Sequence, residues 1–246
     1  MSVQRVADVV SLPVRKGAPI AAGAVSTTYR RARGWTANEV DDWGRDNGFV
    51  NRIWSLSGWR WQTSVGGAEH IPRRAGALIV VNARRFALAP IFAALAIGHE
   101  IDRPVRFVGR PDVAPLGPVM QRLGGLLPVA TELEGVLRAG GVVVLGSAPQ
   151  PNNEFAGLVD HHLVGAAIAA RVRVLPAATI STPIRRGARV EIGRPISLRK
   201  RRRGPLAELE TADAAQSRID ALLDELGGTS TGTPLDWLPL GLPGVS

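Results

Sequence analysis

From Gly66 onward, short runs rich in Val, Ile and Leu alternate with longer segments of helical character. That rhythm belongs to βαβ units, in which a crossover helix carries the chain from one strand to a parallel neighbour. It places strands at 77–82, 105–109, 126–129, 142–145, 172–180 and 189–192, and helices at 89–97, 115–123, 131–138 and 158–170. The third of these helices opens with Thr131 and Glu134 at capping-box spacing. Continuously apolar strands need cover on both faces, because each face would otherwise expose a row of branched side chains. The expected fold class is therefore α/β, a single mostly parallel sheet flanked by helices.

The flanks read differently. Residues 1–34 mix Pro, Gly, Ala and basic residues without a clear period and are expected to form a loosely ordered basic arm. The folded domain is expected over 35–226, and the Gly-, Thr- and Pro-rich stretch 227–246 is read as an irregular tail. At the start of the domain, Thr36 and Glu39 again have capping-box spacing, followed by Val40, Trp43, Phe49, Val50, Ile53, Trp54 and Leu56 among arginines. This pattern predicts amphipathic helical pieces interrupted at Gly48. Two readings remain open for its tryptophans, a face packed on the core and an interfacial helix at a membrane. Near the end, Ile219, Leu222, Leu223 and Leu226 recur at helical spacing and predict a helix over 214–226.

Charge narrows the partners. Lys and Arg number 30 against 21 Asp and Glu, a formal net charge of +9, so the surface attracts polyanions such as anionic membranes or nucleic acid. With no cysteine, thiol nucleophiles, disulfides and Cys-based zinc sites are excluded. The first residues lack the apolar core of a signal peptide, being broken by Pro13, Arg15, Lys16 and Pro19. The longest apolar run, 86–98, is shorter than the ~20 residues that cross a bilayer. A cytoplasmic protein, peripheral on the inner face of the membrane, is the expectation. No Walker A loop, GxGxxG or nucleophile elbow is present, so no cofactor or metal is expected.

Several segments, in order, resemble the lysophosphatidic acid acyltransferase family. VGGAEHIPRRAGALIVVN, starting at Val65, is similar to the family's approach to its active site, and RPVRFVGRPDVAPLGPVMQRLGGLLPV to its second strand, helix and following strand. LRAGGVVVLG resembles the strand leading to the phosphate-side motif, FAGLVDHHLVGAAIAARVRVLPAATI the helix and strand after it, and VEIGRPI with the late helix the closing elements. The resemblance implies a glycerophospholipid acyltransferase-like fold. It also implies that Asn82 ends the first strand where the family carries Asn-His, four residues and Asp, the His serving as general base and the Asp orienting it. Here Ala83 stands at the His position and Leu88 at the Asp position. The family's Phe-Pro-Glu-Gly corresponds to Leu145, Gly146, Ser147 and Ala148, without the Glu, and an Arg after its third strand corresponds to Ala130.

Loss of a general base costs about two to four orders of magnitude in rate. The chain has only four histidines to replace it, His70, His99, His161 and His162. Asp160, His161 and His162 cluster at a predicted helix start and read either as a solvated helix start or as a weak substitute base; His99 to Asp102 reads as a polar loop. Expected ligand contacts are Asn82, Arg84, Arg85, Gly146 and Ser147, with Arg84 and Arg85 either solvated or facing an anion. Arg73 with Arg74, and Arg185 with Arg186, are further pairs that form a basic face if they converge. The run Arg199, Lys200, Arg201, Arg202, Arg203 fits a solvated loop, an anionic lipid surface or, more weakly, nucleic acid. Three functions follow: a catalytically impaired acyltransferase relative that binds lipid or an acyl chain at a membrane, an active transferase with a non-standard base, and a basic nucleic-acid-binding or scaffold protein.

Overall fold

The computed structural model describes residues 40–58, 62–82, 89–148, 157–182, 187–197 and 204–227. Among the expectations above, the arm 1–34, the Thr36/Glu39 cap, Ala83, Arg84, Arg85, Leu88, Arg185, Arg186, the run Arg199 to Arg203 and the tail from 228 lie outside the described residues.

The chain contributes strands β1 (Gln62–Gly66), β2 (Ala77–Val81), β3 (Val105–Val108), β4 (Gly125–Leu126), β5 (Val142–Gly146), β6 (Arg173–Thr182) and β7 (Gly187–Ile192) to one sheet in the order β1-β7-β6-β2-β5-β3-β4. β2 sits at the centre, parallel to both β5 and β6, with Ala77 opposite Val142 on one side and Arg173 on the other. β6 pairs antiparallel with β7, and β1 runs parallel to β7, so the sheet is mixed but mostly parallel. The helices are α1 (Asn47–Gly58), α2 (Ala89–Glu100), α3 (Leu116–Arg122), α4 (Ala130–Arg138), α5 (His161–Ala170) and α6 (Pro205–Glu225).

Because successive strand residues face opposite ways, β2 and β5 feed two cores. Leu78, Val80, Val143 and Leu145 join Leu133, Val164 and Ile219 on the side of α4, α5 and α6. Ala77, Ile79, Val81, Val142 and Val144 join Phe92, Ala93 and Ile97 of α2. All five β2 residues are buried, as a strand covered on both faces requires.

Several boundaries differ from the sequence reading, each for a local reason. Gly48 interrupts nothing: the chain makes a turn closed by a Val40–Asp46 bridge and then runs as one helix from Asn47. Trp43 packs against one core and Trp54 against the other, which favours the core reading for both. β1 escaped notice because five residues of QTSVG carry almost no apolar signal. β4 stops at Leu126, since Pro128 has no N–H to extend a ladder. The Thr131/Glu134 capping box is not made: Val129 is the N-cap, so Thr131 falls inside the helix, and Glu134 pairs with Arg138 instead. The helix expected from 158 begins at His161, because the Asp160 side chain caps it. α6 starts at Pro205, well before residue 214; its buried face there is Ala207, Thr211 and Ala212, too small to announce itself.

Candidate functional site at the carboxyl ends of the central strands

β2 ends at Val81, and Asn82 takes over where the ladder stops. Its Nδ2 donates to the Thr179 carbonyl at 3.0 Å and its Oδ1 accepts from the Thr179 N–H at 2.7 Å, so the amide acts as one more rung between β2 and β6. The Thr179 hydroxyl also lies 3.1 Å from Oδ1. On the other side of β2, the Ser147 N–H donates to the Val81 carbonyl at 2.9 Å, one residue past Gly146, which pairs with Val81. Asn82, Ser147 and Thr179 are 4%, 3% and 1% exposed. Buried amides and hydroxyls at a strand end need such partners, because an unpaired one costs about 1–3 kcal/mol.

The chain returns to this point at Gly157. A Cβ there would lie 2.1 Å from the Ala148 carbonyl oxygen and 3.1 Å from Ser147 Oγ, and its φ is +80°, so only glycine fits. The Ala148 N–H then donates to Leu158 O at 2.7 Å, which seats the start of α5 beside the end of β5. Asp160 accepts from the N–H groups of His162 and Leu163. The His161 and His162 rings lie 4.1 Å apart, and His162 Nδ1 is 3.9 Å from a Glu208 carboxylate oxygen of α6. The hydrogen bonds of Asn82 among the described residues go to Thr179, not to either imidazole.

One strand further out, Arg110 follows the carboxyl end of β3, its backbone N–H held by Leu126 O at 2.9 Å. Its side chain is half-buried, and its Nε has no hydrogen-bond acceptor among the described residues. Ala130, half-buried as the first residue of α4, packs on the core. Arg73 and Arg74 are exposed ahead of the amino end of β2, so they stand at the other end of the strand from Asn82.

The structure thus brings Asn82, Gly146 and Ser147 together and puts His161 and His162 at a capped helix start. Sequence reasoning missed Thr179 and Arg110. For Thr179 a signal existed: an Asn closing an apolar strand needs a polar partner, and Thr179 is the first hydroxyl in the apolar run that becomes β6. For Arg110 there was none beyond its place directly after a strand. Among the described residues, no cluster of His, Asp and Glu has the composition of a metal site, and no helix is long and apolar enough to cross a membrane.

No family model matches the chain, and no curated protein sequence matches it. Among solved structures it is similar to the 1-acyl-sn-glycerophosphate (LPA) acyltransferase PlsC from Thermotoga maritima, at 17% identity and a TM-score of 0.53, over 74% of this chain and 81% of that one. The likeness bears on architecture: the chain has an acyltransferase-like α/β fold.

Proposed function

We propose that this protein binds a phospholipid or acyl chain at a membrane surface through the carboxyl end of its sheet, and does not carry out His-dependent acyl transfer. The observation that carries the reading is the chemistry of that end. Among the described residues, its buried polar side chains are the Asn82 amide and the Ser147 and Thr179 hydroxyls, with Asn82 and Thr179 bonded to each other, and none is a base near neutral pH. Beside them Arg110 offers a guanidinium, the group best suited to a lipid phosphate.

Exposed apolar side chains surround the same end. Val113 and Leu116 follow Arg110, Val129 follows β4, Leu158 adjoins Ala148, and Leu206 and Leu209 open α6 beside His162. Leu206 is 63% exposed. Such residues, on a chain of net charge +9, suit peripheral contact with an anionic bilayer. The resemblance to acyltransferases supports lipid as the ligand class, and Ala83 and Leu88 at the His and Asp positions support loss of the reaction.

Native mass spectrometry of the purified protein tests the binding: a co-purified phospholipid or fatty acyl species is expected, and its absence together with no flotation on vesicles containing phosphatidylglycerol would sink the reading. A second reading, an active transferase with a substitute base, is favoured by the approach of His162 Nδ1 to within 3.9 Å of a Glu208 carboxylate oxygen, which orients the imidazole. Thioester turnover that His162→Ala abolishes would establish it. Tight, steeply salt-dependent binding to nucleic acid without lipid preference would favour the basic scaffold instead.

A further inference from the structure

A cavity of about 310 Å³ opens at the opposite end of the sheet, where α2 ends and Pro104 leads into β3. Its walls include Arg45, Asn51, Trp54, His99, Asp102 and Arg103. The cations near it divide into two kinds. Arg106 pairs with Asp41 at 2.5 Å and Arg122 with Asp46 at 2.8 Å, and neither lines the cavity. Arg45 and Arg103 do line it, and neither has a carboxylate partner among the described residues. Arg103 is held instead by the carbonyls of Pro72, at 2.6 Å, and Gly140, at 3.2 Å.

Arg45 is the more exposed to electrostatic cost. It is 7% exposed to solvent, it donates to the neutral Oδ1 of Asn47, and its Nε has no acceptor among the described residues. Burial, then the neighbouring Arg106 charge, lower its pKa from the usual value, while Asp41 acts the other way. A guanidinium stays protonated even so, and buried charges are ordinarily paired. Among the described residues, Asp102, exposed to solvent, is the one carboxylate of the lining and makes no ion pair with either arginine.

We infer that this cavity binds a phosphate group, free or carried by a small organic ester, through Arg45 and Arg103, with the Asn51 amide as a further donor. Phosphate matches paired guanidinium donors in charge and geometry. Trp54, whose ring lies 5.1 Å from that of His99, gives the cavity a flat apolar wall for an ester's organic part. The site differs from the carboxyl-end site in position and is independent of any acyltransferase activity.

Titration of the full chain with inorganic phosphate and with phenyl phosphate, followed by calorimetry and by the ¹⁵N-labelled arginine Nε–H resonances, tests the inference. Saturable binding of at least one probe is expected, shifting the Arg45 Nε resonance. Phenyl phosphate binding more tightly would assign the site to organic esters, and equal affinity to the free ion. Arg45→Gln should weaken binding by about tenfold or more, the loss expected for a hydrogen bond to a charged group. Asn51→Leu, an exposed helix position that narrows the cavity without disturbing the buried cluster, should do likewise and keeps the test valid if Arg45→Gln fails to fold. No saturable binding by either probe, or binding unchanged in Asn51→Leu, would overturn the proposal.

Discussion

The two ends of the sheet handle polar groups in opposite ways. At the carboxyl end, Asn82, Ser147 and Thr179 are uncharged, Asn82 and Thr179 are bonded face to face, and among the described residues Arg110 stands one strand further out, after β3. Toward the amino end of β3, Arg106 pairs with Asp41 and Arg122 with Asp46, while Arg45 and Arg103 line a cavity without a carboxylate partner among the described residues. Ligands of open α/β sheets collect at the carboxyl ends of strands, so the charge would ordinarily be sought there. Among the described residues, Arg45 and Arg106 are buried near the other end, so part of this protein's basic character is internal. Asp41 and Asp46 clip the segment before α1 onto β3 and α3, and they neutralise only some of the arginines they meet.

The sharpest way to break the comparison is to remove the carboxylate that holds the charged end together. Asp41→Ala strips Arg106 of its partner and the Trp43 and Arg45 N–H groups of their acceptor. We expect a loss of about 3 kcal/mol in urea unfolding, the low end for breaking a buried pair, because Asp41 itself is 27% exposed. Asp41→Asn keeps an acceptor and loses the charge, so the difference between the two variants reports the electrostatic part.

At the neutral end the corresponding change is Asn82→Ala, which orphans the buried N–H and carbonyl of Thr179. A loss of about 2 kcal/mol is expected by the same measurement. An effect below about 0.5 kcal/mol would mean that water takes over the rung and that the end is looser than described.

Smaller effects sharpen the contrast. Leu206→Ser with Leu209→Ser, both exposed at the start of α6, should leave stability unchanged and weaken flotation on anionic vesicles by about tenfold. Smallest of all, Glu134→Ala removes a helical pair between half-buried Glu134 and exposed Arg138 and should change stability by less than about 0.5 kcal/mol.

Much of the sheet was legible in the sequence because its strands are continuous apolar runs bounded by turns; β2 and β5 are the clearest cases. What escaped notice lacked that signal. β1 is a polar edge strand, and the first turns of α6 bury only Ala and Thr. Asn82, Gly146 and Ser147 could be placed because each closes a recognisable strand. Thr179 could not be paired with Asn82 without the register of β2 on β6, which is a long-range property: the two residues lie 97 apart in sequence. The charged cavity was invisible for the same reason, since Arg45 and Arg103 come to line one cavity only once α1 lies beside the end of α2.

The central claim, a lipid-binding end without the transfer reaction, is tested most directly by thioester turnover of the purified protein with long-chain acyl-CoA and lysophosphatidate. The expected result is release of CoA at the same rate from the wild-type protein and from the His161→Ala, His162→Ala double variant, with neither above the protein-free rate. Turnover in the wild type that the double variant abolishes would contradict it, and would place a working base at the start of α5.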